Sequence, residues 1–405
     1  MMEVQPILAT LRHHKLIAAL LALLVALTCG IVCNVAFMIQ RQAALVRLPS
    51  GVAENELVTI ESVSLGHDRN AVVQHKADLA ALRALPEVRN AAVVAGLPLS
   101  GSGWSMGVPT GPESESPVDA SAYYGSPGEL ATLGLKLVAG RDFRADEYVP
   151  LDRSHGVAGL DRVPAAIITR ALAERLWPGQ NPLGKAIYPG KGAARIVGVV
   201  DRLLRPNADS GSDNYLSMLL PMLPNDRDVT YVLRTAPQDR ARVLKQASAA
   251  LSRLDDDRVL MNKQTFSQMR AAYFQSNHRM IGLLLASALG LLFVAALGIT
   301  GLANFWVQQR TRSIGIRRAL GATRGNILNY FQTENFLIVT VGVVLGVLLA
   351  IGLNLLLMSH YQLPRLPLWY LPVGAIALWV LGQLAVLAPA LRASHVPPVV
   401  ATRSV

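Results

Sequence analysis

Charge is what this chain lacks most. Only 16% of its 405 residues are Asp, Glu, Lys or Arg, and stretches 16–40, 280–307, 335–364 and 366–391 contain none. A soluble domain carries about 25% charged residues, and a helix needs about 20 mostly apolar residues to cross a membrane. Four membrane-spanning helices are therefore expected, with the last two divided by a short turn where Pro364 and Pro367 break the helix. Cysteine is nearly absent too: Cys29 and Cys33 both fall in the first charge-free run. The long region between the first two runs has none, so it is no disulfide scaffold and must hold itself by core burial, which its size permits. Spaced i,i+4 in an apolar helix, the two cysteines read as small packing residues rather than a disulfide or metal site. The eight scattered histidines form no ligand cluster. No nucleophile–base–acid set or dinucleotide loop is present, so the expected catalytic and metal residues are none.

A near-match to a phosphate-binding loop, Gly179-Gln-Asn-Pro-Leu-Gly184-Lys185-Ala186, fails at its last position. Ala186 has no hydroxyl for Mg²⁺, and the following Ile187-Tyr-Pro is turn-like where a helix N-terminus is required.

The first apolar run, Leu16–Ile39, is longer than the ~7–15 residues of a signal peptide core. Gln40-Arg-Gln follows it in place of a small-x-small cleavage site, so a retained anchor is expected. Orientation follows from basic flanks. Arg12 and Lys15 precede the first span, five arginines separate the second from the third, and Arg392 and Arg403 follow the fourth. The opposite flanks carry Arg41, Arg47, Arg270, Arg279 and Arg365, less concentrated. The positive-inside tendency then puts both termini in the cytoplasm and residues 40–278 outside. Of the formal charge of +11, the part outside 40–279 contributes +8 and the large domain only +3. The basicity is thus mostly topogenic and suits anionic lipid heads; with no arginine stripe interleaved with aromatics, nucleic acid is not an expected partner.

Along the chain we expect a cytoplasmic N-terminal helix at 1–15 and spans at 16–39, 279–307, 334–358 and 369–391. The connecting pieces are a loop at 308–333, a turn at 359–368 and a tail at 392–405. In the outer domain, alternation marks a strand at Glu56–Ser64, followed by a helix at Gln74–Ala84 and a strand at Val88–Ala95. The order returns as strand Val229–Thr235, helix Gln238–Leu254 and strand Arg258–Asn262. One α/β subdomain (56–96 plus 227–264) with an inserted subdomain (97–226) is expected. A helical stalk at 265–278 should run straight into the second span. Asp255-Asp-Asp257 reads as a solvated turn. In the first span Ala18, Ala22, Ala26, Gly30 and Asn34 recur every fourth residue, and the third carries Gly342-x-x-x-Gly346. Both are helix-packing seams, with Asn34 placed for an interhelical hydrogen bond.

The segment Arg310-Thr-Arg-Ser-Ile-Gly-Ile-Arg-Arg-Ala-Leu-Gly-Ala-Thr-Arg324 holds five arginines and no acid. Its wording resembles the loop by which MacB/FtsX-type ABC transporter permeases engage their ATPase. Tyr124–Phe143, Val163–Lys185 and Arg195–Val200 resemble the MacB-like periplasmic core domain, and Pro389–Pro397 fits the end of the same family pattern. The resemblance covers nearly the whole chain and implies an α-helical membrane protein with four transmembrane helices and a large α/β periplasmic domain between the first two.

That resemblance further implies a permease in a bacterial inner membrane, without ATPase motifs or a cofactor of its own, ATP and Mg being bound by a separate ABC ATPase subunit. Motion of the ATPase would pass through the cytoplasmic loop and spans one and two to the periplasmic domain, expelling periplasmic substrates. Arg310, Arg312, Arg317 and Arg318 would meet the ATPase as donors, Ser313, Ile314, Ile316 and Ala322 belong to the same contact segment, and Gly315 and Gly321 would shape its turns. A second permease subunit completes the assembly. At Gln309 and Ser313 family members often carry Glu, and the loss of both acids leaves homodimer and heterodimer open. Export would add a periplasmic adaptor and an outer-membrane channel; an FtsX-like regulator of a periplasmic protein and a lipoprotein-extracting permease share the architecture.

Overall fold

The computed structural model describes residues 15–65, 70–111, 117–151, 159–209, 211–361, 367 and 370–395. The expected N-terminal helix, the turn at 359–368 and the tail lie wholly or largely outside them. The chain divides into two compact units: residues 45–276, and the flanking segments 1–44 with 277–405.

In the 45–276 unit, β1 (Leu57–Ser64) leads through helix Ala71–Arg83 to β2 (Val88–Val94). Near the other end β12 (Asp228–Thr235) leads through helix Arg240–Leu254 to β13 (Arg258–Thr265). The four strands pair antiparallel in the order β13-β1-β12-β2, so each β-α-β unit is split by a strand of the other. Asn70 starts the first helix three residues before the apolar pattern does, its side chain accepting from the amides of Val72 and Val73. One face of the sheet (Val58, Ile60, Val93, Leu233) packs on Leu79, Leu82, Val243 and Leu251 of the two helices. The opposite face (Leu57, Ala92, Val94, Val232) meets Leu130, Leu133, Ile167 and Leu219 of the inserted subdomain. Burial on both faces is why β1 is apolar at successive positions.

The insertion is a second sheet. Its strands are β3 (Trp104–Val108), β4 (Val118–Tyr124), β5 (Leu137–Gly140), β7 (Ala165–Thr169), β9 (Ala194–Val200) and β10 (Ser217–Leu220). They run in the order β3-β4-β10-β7-β9-β5, with β8 (Ala186–Ile187) on β9, while β6 (Val149–Pro150) pairs with β11 (Met222–Leu223). Ala186 therefore opens a strand, and no helix N-terminus stands where a phosphate-binding loop needs one.

Two expectations are corrected. Asp255 is buried, at 4% exposure, not solvated: its carboxylate accepts from Ser64 Oγ (3.0 Å) and Gln74 Nε2 (2.6 Å). It belongs to a buried network in which Arg258 Nη2 lies 2.7 Å from Asp78 and the Tyr231 hydroxyl donates to Asp78. The stalk does not run straight into the second span either. Helix Phe266–Tyr273 ends at Phe274, whose ring is buried with Leu45, Leu99 and Leu204, and a new helix begins at Gln275.

The flanking segments form four long apolar helices: Lys15–Val46, Gln275–Gln309, Arg324–Tyr361 and Tyr370–Ser394. Their core gathers Leu21, Val25, Cys29 and Cys33 of the first, Ile299 and Trp306 of the second, Ile338 and Val343 of the third, and Leu378 and Val386 of the fourth. Side chains also bridge the helices: Thr300 donates to Ala385 O (3.0 Å), Asn335 to Gly382 O (3.0 Å), and Trp379 Nε1 to Thr340 (3.1 Å).

Candidate functional site

The arginine segment is a helix, not a loop. The second span ends at Gln309, Arg310 stands in neither helix (φ −105°, ψ 8°), and Thr311–Ala319 is helical. Gly315, expected to shape a turn, is buried inside this helix. Gly in a helix interior costs only about 1 kcal/mol. Gly321 does sit in a turn, at φ +100°. Its amide donates to Arg318 O (3.1 Å) and that of Ala322 to Arg317 O (3.0 Å), the paired bonds of a Schellman termination that needs a left-handed residue between them. Thr323 then caps the third span, its hydroxyl accepting from the Asn326 amide at 3.2 Å. The expected loop at 308–333 is thus a nine-residue helix, a glycine turn and the first turns of the third helix. The apolar run alone could not show a polar helical extension of ten residues ahead of it.

The segment's side chains divide into two faces. Inward, Ile314 is buried against the four-helix core and Arg318 is half-buried. Arg310 also turns inward, which corrects its expected role as a surface donor. It is 8% exposed; Nη1 donates to both carboxylate oxygens of Glu334 (3.0 and 2.9 Å), and its guanidinium lies 4.7 Å over the Trp306 ring. Outward lie Arg312, Ser313, Ile316, Arg317 and Leu320, with Arg317 stacked 4.6 Å over Tyr330 of the third span. Ile316 is 47% exposed and Leu320 82%. Leu320 and Glu334 escaped the sequence reading. A signal for Glu334 existed: it is the sole acid after residue 279, and it follows five arginines.

The two small-residue seams meet each other. A Cβ on Gly342 would lie 2.8 Å from Ala22 O and 2.7 Å from Val25 Cβ; one on Gly346 would lie 2.4 Å from Cys29 Cβ and 2.8 Å from Ala26 O. Gly30 faces Leu349 in the same way at 3.3 Å, and Ala18 lines a cleft with Ile338 and Val341. Asn34 Nδ2 donates within its own helix to Gly30 O (2.9 Å) and across to Ala350 O (3.2 Å). Backbones this close maximise van der Waals contact where lipid removes the hydrophobic drive. Cys29 and Cys33 are free thiols buried in this packing.

Known proteins align with both halves of the chain. The MacB-like periplasmic core domain matches residues 20–251 and the FtsX-like permease C-terminal domain matches 285–398. The chain is 28% identical over 247 residues to the macrolide export ATP-binding/permease protein MacB of Acinetobacter baylyi, covering 58% of this chain and 36% of that one. It is 30% identical over 257 residues to the pyoverdine export ATP-binding/permease protein PvdT of Pseudomonas putida, covering 59% and 38%. With the ABC transporter permease YknZ of Bacillus subtilis it shares 24% over 297 residues, 71% of each. The chain thus spans little more than a third of the ATP-binding/permease relatives and most of the permease one. The solved periplasmic region of MacB from Actinobacillus actinomycetemcomitans aligns at a TM-score of 0.35 with 16% identity, over 56% of this chain and 96% of that one.

Proposed function

This chain belongs to the MacB/FtsX-type family of ABC transporter permeases, and from that membership we propose that it couples a separate ATPase to the 45–276 unit, driving substrates outward from the periplasm. The observation that carries the reading is the outward face of helix Thr311–Ala319. Arg312, Ile316, Arg317 and Leu320 bring two cations and two exposed apolar side chains together beside a membrane span. Apolar anchors ringed by guanidinium groups suit a protein surface with a hydrophobic pocket and an acidic rim. In this reading the helix, both termini and the ATPase lie in the cytoplasm of a bacterial inner membrane, as the arginine distribution favours. ATP and Mg bind the ATPase. A second permease, the same or different, completes the dimer, and export adds a periplasmic adaptor and outer-membrane channel. The first helix is unbroken from Lys15 to Val46.

The test is Arg312→Glu with Arg317→Glu. Two reversals at an interface add repulsion as well as removing donors, so capture of the ATPase by the tagged permease should fall about tenfold or more. The permease should still insert at wild-type level. Wild-type capture with unaltered ATP turnover in the complex would refute the reading.

A further inference from the structure

We infer that Arg310 and Glu334 form a clamp making the arginine helix a rigid outgrowth of the third span, which then receives the stroke of the ATPase; this rests on the coupling function proposed above. Glu334 is 1% exposed and Arg310 offers both carboxylate oxygens a bond from one nitrogen. Buried ion pairs give little net stability, because desolvation offsets attraction. Here the compensation is incomplete, since Arg310 Nη2 finds no acceptor among the described residues. A costly charge pair at the end of a membrane span points to a role other than stability.

Geometry supplies that role. Arg310 reaches Glu334 at one end of the arginine helix, and Arg317, two turns on, stacks over Tyr330, one turn before Glu334. The two contacts run antiparallel along the third span, and the Gly321 turn closes the hairpin. By contrast the second span joins this helix at Arg310, where the helical run is interrupted, with the Thr311 hydroxyl donating back to Val307 O (3.1 Å) and Gln308 O (2.8 Å). A push on the outward face can therefore swing the hairpin at Arg310, but cannot part it from the third span without breaking the clamp. The third span packs on the first at Gly342 and Gly346, and the chain continues from the first helix into residues 45–276. Arg310 and Glu334 are positioning residues; neither touches the ATPase.

The pair Arg310→Met with Glu334→Leu tests this, because an apolar pair of similar volume commonly folds as well as the buried ions it replaces. A spin label at Ser252→Cys in the outer unit reports the change on adding ATP and Mg to the detergent-purified permease–ATPase complex. The variant should insert and capture the ATPase at wild-type yield, while the label's response falls about tenfold, within the range for residues on a coupling route. An undiminished response overturns the clamp. So does loss of capture, which would make Arg310 a docking residue. Should the apolar pair fail to insert, the exchange Arg310→Glu with Glu334→Arg decides: a response restored above that of Glu334→Gln alone supports the clamp, and no restoration overturns it. Retained capture by Arg312→Glu with Arg317→Glu would instead sink the parent reading.

Discussion

Gly346→Leu is expected to part the first and third spans. Even the first carbon of the new side chain would lie 2.8 Å from the carbonyl oxygen of Ala26 and 2.4 Å from Cys29 Cβ. The backbone atom cannot swing away as a flexible side chain would, so the helices must separate or shift register, losing the Asn34–Ala350 bond one turn further on. Overpacking of this kind costs about 1–3 kcal/mol, which is roughly 5- to 150-fold in the population of the opened seam. The native thiols report it, since Cys29 is fully buried and Cys33 is 1% exposed. A membrane-permeant maleimide should leave both intact in the wild type and modify Cys29 in the variant, and Cys29→Gly beside Gly346→Leu should restore ATPase-linked function. Equal protection of Cys29 in the two proteins would show that the seam does not close as described.

The second large effect is a dependence on pH in the outer unit. Glu129 opens the short helix Glu129–Leu133 and is 2% exposed. Burial, reinforced by the nearby charge of Asp142, pushes its carboxyl up from 4.5 to about 8. Its Oε1 has no hydrogen-bond partner among the described residues, and Gly125 packs so closely that a Cβ there would meet Glu129 Oε2 at 2.9 Å. The folded state therefore holds a proton that the unfolded state releases near pH 4.5. Stability is fully present below that value and is lost as pH rises toward 8, by on the order of 4 kcal/mol as an upper bound. Glu129→Gln, neutral throughout, should flatten the profile and raise the protease resistance of the unit at pH 8 while changing little at pH 4.5. A steep decline with pH that persists in the variant would place the effect on another group.

The sequence made some of this legible for clear physical reasons. Charge-free runs locate membrane helices because lipid tolerates no unpaired charge, and the apolar cores of all four came from that alone. Alternation found β1 even though both faces of its sheet are covered, because Glu61 keeps part of the strand polar, and the strand–helix–strand order then placed β2, β12 and β13. What was not legible is pairwise. That Gly342 and Gly346 meet Ala22, Ala26 and Cys29 depends on how helices cross, which a seam on one helix does not specify. Arg310 looked like its neighbours in composition. Only its distance to Glu334, 24 positions along the chain, separates a clamp from a docking residue. The glycine at 315 misled, since the residue that permits a turn also permits a tightly packed helix.

The measurement that bears most directly on the coupling function is site-specific crosslinking from the arginine helix. A photo-reactive benzoylphenylalanine at Leu320, the most exposed large apolar residue of the segment, is irradiated in cells co-expressing the cognate ATPase. The same probe at Leu254, exposed on the outer unit, serves as the comparison. The account predicts a permease–ATPase adduct from Leu320 and none from Leu254; an adduct from Leu254 with none from Leu320 would contradict it.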